Sequence, residues 1–305
     1  MLVISEDEVL RVLDRNELRE TMRTALCELS AGRVIQPLRG VIRIAGHNGW
    51  YGVMPAVFQD VIGTKLVTVF PQNVDRGLHT HNAVIHLFRS ETGEPLAVVG
   101  GRVITALRTA AVSALATAEL SREDARVLAI LGSGVQARSH YEALKLIRNF
   151  QDVRVWSRTP EHAARFAAEI GATVMSAEKA VRNADVIVTA TSSATPLLRG
   201  EWLRDGAHVN AIGAVGPHMR ELDDHAMQNA AIIVESREAA LVESGDIIDS
   251  GRAIYSELGE LLTGCKPKPQ SRTTVYKSLG VAVEDIAAAK LVYDKSPRRA
   301  SSGQL

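Results

Sequence analysis

Cysteine is scarce in this chain, and an excess of charge of either sign is missing. Cys27 and Cys265 are the only two cysteines. Thiols this far apart form no disulfide framework and read as the reduced residues of a cytoplasmic protein. Lys plus Arg and Asp plus Glu number 35 each, so the formal net charge is zero. No long basic run precedes the C-terminal tail, which argues against nucleic acid or an anionic membrane as a partner. No stretch of about 18 apolar residues occurs, so no membrane-spanning helix is expected. The N-terminus turns acidic at Glu6-Asp7-Glu8 and lacks the charged-then-apolar layout of a signal peptide. His, Cys and carboxylates nowhere take a metal-ligand spacing such as His-Glu-x-x-His, so no metal is expected. There is no internal repeat. What is present is apolar sequence, 46% of 305 residues, enough for large cores and about two domains.

The most informative stretch is Val127-Leu128-Ala129-Ile130-Leu131-Gly132-Ser133-Gly134-Val135-Gln136-Ala137. An apolar strand-type run meets a Gly-x-Gly-x-x-Ala turn and a helical pattern follows. Gly132 permits the tight turn, Gly134 lets backbone approach a pyrophosphate, and small Ala137 lets helix and strand lie close. The helix N-terminus adds free N–H groups and partial positive charge for the anion, so Val135 and Gln136 join the expected cofactor residues. Further strands are expected at Val153–Trp156, Asp185–Ala190, His208–Gly213 and Ala231–Val234, with a helix over Glu161–Glu169. Strands alternating with helices imply a doubly wound parallel sheet of Rossmann type. The second strand ends in Ser157-Arg158-Thr159 and carries no carboxylate. An arginine with small polar neighbours suits a ribose 2′-phosphate, which predicts NADP(H) in preference to NAD(H), with NAD(H) still possible.

Before this region the pattern differs. Ser5 caps a short helix to about Leu13, and an amphipathic helix fits Glu17–Leu29 with Leu18, Met22, Ala25, Leu26 and Leu29 on one face. Short β-type runs follow at Arg39–Ile44, Gly49–Pro55, Thr64–Phe70 and Asn82–Phe88, then a turn at Glu91–Glu94, a strand at Leu96–Val99 and an Ala-rich helix over Thr105–Leu120. This reads as an antiparallel or mixed sheet in an α+β domain. The segment Thr274–Gly280 and a helix over Val283–Tyr293 fit less easily and are compatible with a return to this first domain. The tail Ser296–Leu305 is polar and expected to fray. The expected division is a first domain over 1–117, completed by 281–305, and a dinucleotide domain over 118–280.

Arg39, Lys65 and Arg108 each interrupt apolar or small-residue sequence. A cation in a buried strand needs a partner or a ligand. Three of them without an obvious local carboxylate suit an anionic substrate such as an amino or keto acid. His81 is a weaker candidate, and His79 and Glu243 are further residues that could line the site or serve the structure.

With these residues in hand, the chain resembles the ornithine cyclodeaminase/mu-crystallin family. The resemblance rests on Gly52–Ala56, Thr64–Thr68, Ile104–Ala114, Leu131–Ala137, Glu243-Ser244-Gly245-Asp246 and Tyr276-Lys277-Ser278-Leu279-Gly280, and runs nearly end to end. It implies a homodimer with the Rossmann domain inserted into the substrate domain. It implies that Arg39, Lys65 and Arg108 hold the substrate carboxylate, with Met54 in the pocket. Lys65 becomes the acid or base, its pKa lowered by flanking arginines. His81, Arg108, Thr109, Thr191, Ile212 and Ser278 join the residues expected around the cofactor. Cyclodeaminases of this family, and the archaeal alanine dehydrogenase, carry a proton-transferring aspartate after the strand that here ends Ile212-Gly213-Ala214-Val215. Here Ala214 or Val215 takes that place, although His218, Glu221 or Asp223 lies near enough in sequence to substitute. Activating water against an iminium needs such a base, whereas reducing a preformed imine needs only a hydride and a proton. The resemblance therefore points to an NAD(P)H-dependent ketimine reductase acting on Δ1-pyrroline-2-carboxylate or Δ1-piperideine-2-carboxylate. The alternatives are ornithine cyclodeaminase, an amino-acid dehydrogenase, or a mu-crystallin-like small-molecule binding protein.

Overall fold

The computed structural model describes residues 1–270 and 272–297. The chain divides into two units, Met1–Arg108 with the C-terminal segment from Val281, and Thr109–Gly280. In chain order the elements are β1 (Leu2–Ile4), α1 (Glu6–Val12), α2 (Arg15–Ser30), β2 (Gly40–Ile44), β3 (Gly49–Phe58), β4 (Val61–Val69), β5 (His81–Arg89), β6 (Pro95–Gly100) and α3 (Gly101–Leu120). There follow β7 (Val127–Leu131), α4 (Val135–Leu144), β8 (Asp152–Trp156), α5 (Pro160–Ile170), β9 (Thr173–Val174), α6 (Ala177–Val181), β10 (Val186–Thr189) and β11 (His208–Ala211). The chain ends with α7 (Asp224–Gln228), β12 (Ala230–Val234), α8 (Arg237–Glu243), α9 (Gly245–Ser250), β13 (Ser256–Glu257), α10 (Leu258–Leu262), β14 (Thr273–Lys277) and α11 (Ala282–Lys295).

The first unit is built on a six-stranded sheet in the order β1-β6-β5-β4-β3-β2, antiparallel except for β1 beside β6. Alternation decides its faces. In β4, Val61, Gly63, Lys65 and Val67 are buried while Ile62, Thr64, Leu66 and Thr68 are half-exposed. Helix α11 lies on the buried face. At Gly63 a Cβ would come within 2.4 Å of Ile286 Cδ1, so this glycine sets how closely α11 approaches β4. Helix α2 starts at Arg15, ahead of the expected Glu17, because the Asp14 carboxylate accepts the N–H groups of Asn16 and Glu17.

Helix α3 begins at Gly101 rather than Thr105. Its first N–H groups, of Arg102 and Val103, are taken by the Glu6 carboxylate at 2.9 and 2.8 Å. A cap supplied from so far along the chain leaves no local signal. By length and composition α3 is long and apolar enough to cross a membrane, but 72% of its most apolar window is buried, as in a core helix. The division between the units falls inside α3, at 108/109 rather than at the expected 117/118. The later half of the helix is tied into the second unit: Asn210 donates to Thr117 Oγ1 at 3.0 Å, and His140 Nε2 lies 2.9 Å from Ser113 Oγ.

The second unit holds an eight-stranded parallel sheet in the order β13-β12-β14-β11-β10-β7-β8-β9. Strands β10, β11 and β14 are buried almost throughout, as expected for parallel strands covered on both faces. The architecture is α/β, a doubly wound Rossmann sheet inserted into an α+β domain. Residues 273–277 do not leave this sheet: β14 runs between β11 and β12, and only α11 returns to the first unit. Ser296 is buried and its N–H closes α11 on Val292 O, so it is not part of a frayed tail. The rest of that expectation, from residue 298, lies outside the described residues.

Candidate active site

In the first unit the sheet and α11 together make a buried ionic cluster. Lys65 lies directly across from Met54 on β3 and Ile85 on β5, both buried. Since Ile286 seats against Gly63, the residue before it, Asp285, reaches Lys65: Nζ to Oδ2 is 2.5 Å. Asp285 Oδ1 also accepts from Arg108 Nε at 2.9 Å, and Glu284 Oε2 accepts from Arg108 Nη1 at 2.5 Å. Lys65 and Arg108 are 2% and 3% exposed, and Glu284 and Asp285 are fully buried, so these charges interact where water screens them little. Both carboxylates sit in the first turn of α11, whose dipole favours negative charge. Arg39 is half-buried on the loop before β2. That loop is anchored by Gln36, whose Oε1 accepts the Val283 N–H at 2.9 Å.

Burial lowers the pKa of Lys65 to about 8. Asp285 opposes the shift, and Arg108 and Arg39 add to it. The direction matches the sequence argument, but the cause differs: desolvation outweighs the neighbouring arginines. His81, half-buried at the start of β5, is lowered to about 4 by burial and by Lys65 and Arg108, so its imidazole is neutral near pH 7. His79 is exposed.

In the second unit the turn after β7 takes the form its glycines require. Gly132 has φ +131°, and a Cβ there would lie 2.4 Å from Ala190 O. At Gly134 a Cβ would meet no protein atom within 4 Å, so nothing in the chain itself demands glycine. Backbone open on that side suits an approaching pyrophosphate. Val135 and Gln136 open α4, and the buried Gln136 Oε1 has no partner among the described residues. Ala137 is fully buried. Arg138 donates to Ser133 O and is bound by Glu169 at 2.7 and 2.9 Å, which anchors the carbonyl side of the turn. Ser133 donates to Ser157 at 2.9 Å, tying the turn to the end of β8. Arg158 is exposed there and has no ion pair among the described residues, and Thr159 stands at the N-cap position of α5 without a side-chain capping bond. These residues fit a dinucleotide.

The remaining expected cofactor residues are more deeply set. Thr109 and Ile212 are buried. The Thr191 hydroxyl is held by Glu221, and the Ser278 hydroxyl by Glu235 at 2.9 Å. Glu243 is half-buried at the end of α8.

A model of the ornithine cyclodeaminase/mu-crystallin family matches residues 1–299. The chain belongs to this family. Ketimine reductase mu-crystallin of Rattus norvegicus is 48% identical over 95% of this chain and 96% of its own length. A Delta(1)-pyrroline-2-carboxylate reductase of Bacillus cereus is 38% identical over 98% of each chain. Among solved structures, the Delta(1)-pyrroline-2-carboxylate reductase of Thermococcus litoralis in complex with NADH and L-proline superposes with a TM-score of 0.91, at 35% identity over 97% of each chain.

Within this family framework one expectation needs correcting. The three cations do not stand without a carboxylate. Glu284 and Asp285 supply two, Asp285 from 177 positions beyond Arg108, a distance that hides the pairing from local reading. A signal was nevertheless present: Glu284-Asp285 interrupts Val281-Ala282-Val283 and Ile286-Ala287-Ala288-Ala289 just as Lys65 interrupts β4. Two of the three substitutes considered for the family's aspartate are otherwise engaged. Glu221 is fully buried and spent on backbone and threonine donors. Asp223 caps α7 and accepts the Gly200 N–H. His218 is exposed, Ala214 is buried and Val215 half-buried. Asp285 itself is a poor base: burial alone would raise its pKa, but Arg108 and Lys65 hold it below the usual carboxylate range.

Proposed function

We propose that this chain reduces small cyclic imino acids bearing a carboxylate beside the C=N carbon, such as Δ1-pyrroline-2-carboxylate and Δ1-piperideine-2-carboxylate, to the cyclic amino acids. The observation that carries the reading is a buried lysine with a pKa of about 8 beside two arginines, in a cluster whose carboxylates, Glu284 and Asp285, are ion-paired. With Lys65 protonated, the cluster of Arg39, Lys65, Arg108, Glu284 and Asp285 carries one net positive charge, which a substrate carboxylate neutralises. Gly132, Gly134, Val135 and Gln136 would hold a reduced nicotinamide dinucleotide, which when bound would supply the hydride that imine reduction requires. Lys65 gives its Nζ proton to the imine nitrogen and becomes the neutral amine, which its lowered pKa favours. Arg39 and Arg108 fix the carboxylate, Met54 bounds the ring, and solvent restores the proton. The relatives named as ketimine and pyrroline-2-carboxylate reductases support this reading, as does the engagement of Glu221 and Asp223 by backbone and threonine donors.

The preferred cofactor is NADPH, because Arg158 is exposed and without an ion pair among the described residues at the strand end where a 2′-phosphate would lie. A panel of cyclic imines assayed with NADPH and NADH at the nicotinamide absorbance tests both points. We expect turnover of five- and six-membered 2-carboxylates and a lower KM for NADPH. Ammonia release from ornithine with NAD and no imine reduction would overturn the reading.

The working assembly is a homodimer formed through the sheet face opposite α11. That face carries Tyr51, Val53, Pro55, Val57, Ile62 and Leu66, all half-exposed, and the edge strand β2 adds exposed Val41 and Ile42. Apolar surface this continuous is rare on a monomer, and a family neighbour is a dimer. Light scattering is expected to report twice the chain mass for the wild type and the monomer mass for Leu66→Glu; a monomeric wild type would end this proposal. The free thiols Cys27 and Cys265 suit a reducing compartment, the reason for assigning the enzyme to the cytoplasm.

A further inference from the structure

Glu221 is a fully buried carboxylate that the chemistry above does not use. It follows β11 and reaches back to the carboxyl ends of two neighbouring strands. Its Oε2 accepts from Thr189 Oγ1 at 2.8 Å and from the N–H groups of Gly213 and Ala214 at 2.7 and 3.3 Å. Its Oε1 accepts from Thr191 N–H and Thr191 Oγ1, both at 2.7 Å. Thr189 closes β10 and Gly213 follows β11, so one side chain clamps both strand ends. The fit is tight: a Cβ on Gly213 would lie 2.0 Å from Thr191 O and 2.6 Å from Glu221 Oε1. Glu221 is itself fixed from below. Asp246 Oδ1 accepts the N–H groups of Glu221 and Leu222 at 3.0 and 3.1 Å. Lys277 Nζ, fully buried, lies 3.2 Å from Asp246 Oδ2 and donates to Ala214 O at 2.7 Å.

Burying three charged groups costs folding free energy, and a merely apolar filling would avoid that cost. The cluster sits under the edge where open parallel sheets bind ligands, beyond the carboxyl ends of their strands. Its effect there has a direction. A trans peptide sets its N–H and C=O antiparallel, so N–H groups of Gly213 and Ala214 turned to Glu221 leave the carbonyls of Ile212 and Gly213 turned away from it. The edge therefore offers hydrogen-bond acceptors. We propose that Glu221 is a positioning residue for the nicotinamide half of the cofactor, orienting the strand ends after β10 and β11 so that their carbonyls accept from the carboxamide amide and the ribose hydroxyls. This rests on the reading that the chain binds a nicotinamide dinucleotide.

The test compares two ligands on one variant. Glu221→Gln keeps the shape but turns an N–H2 toward backbone donors. Calorimetric titration of the full chain is expected to show NADP⁺ binding weakened at least tenfold. Binding of 2′-phospho-ADP-ribose, which lacks the nicotinamide, is expected to stay within twofold of wild type. A general loosening of the fold would weaken both, and a purely internal role would change neither; either result overturns the proposal. If Glu221→Gln does not fold, Thr189→Val removes one of its donors with little change in volume, and the same split, about threefold, is expected. Wild-type chain that binds neither ligand would defeat the cofactor reading itself, and this inference with it.

Discussion

Lys65→Met is expected to lower kcat for cyclic imine reduction by about 10²- to 10⁴-fold, the usual range for loss of a positioned general acid, while the chain stays folded. Methionine fills nearly the same volume, and Asp285 keeps its bond to Arg108, so no carboxylate is left wholly unpaired. The wild-type pH profile gives the complementary result. The acid must be protonated, and its pKa is about 8. Reduction should therefore be level below that value and fall about tenfold per pH unit above it, while oxidation of the cyclic amino acid, which needs the neutral amine, should rise through the same value. Stability follows its own sign. Between about 8 and the ordinary lysine value of 10.5 the unfolded chain binds more protons at this side chain than the folded one, so Lys65 makes folding more favourable as pH rises across that window. Unchanged turnover in Lys65→Met, at any pH, would remove Lys65 from the chemistry.

Features fixed by backbone conformation were the most readable. The glycine turn is legible because a positive φ and a close approach each admit only glycine, and the buried strands around it are legible because parallel strands are apolar on both faces. Lys65 stood out for the opposite reason, a charge where the alternation of β4 demands an apolar side chain. What escaped reading was set by remote partners. The start of α3 depends on Glu6, and the strand β1 that precedes Glu6 is too short to show a period. The place of β14 in the sheet depends on which neighbours accept it, which its own five residues do not specify. The same holds for the site: three cations were found, but the carboxylates that set their net charge come from a helix at the other end of the chain. That changes the meaning of the trio. Arg108 is committed to two acids, so on the proposed reading a substrate would meet a cluster with one net positive charge rather than three.

Asp285→Asn is expected to lower kcat at neutral pH about 10- to 100-fold, and also to move the alkaline limb. Asp285 is the group that raises the Lys65 pKa against burial, through its charge and its hydrogen bond. With a neutral amide in its place, desolvation and the two arginines act unopposed. Lys65 then loses its proton at lower pH, and the limb should move down from about 8 by about one unit or more, as expected for loss of an opposite charge in contact. Arg108 keeps Glu284, so its hold on the substrate carboxylate should survive and KM should change less than kcat. Thermal stability should fall, because a buried ion pair loses one member, and that fall by itself could account for a lower kcat. The limb separates the two causes. A variant merely loosened by the substitution keeps the pKa of its remaining acid and loses rate evenly across pH. A variant that has lost the partner of its acid becomes relatively more active as pH is lowered. If kcat drops with the limb still near 8, Asp285 serves the fold alone and the charge balance argued for the site is wrong.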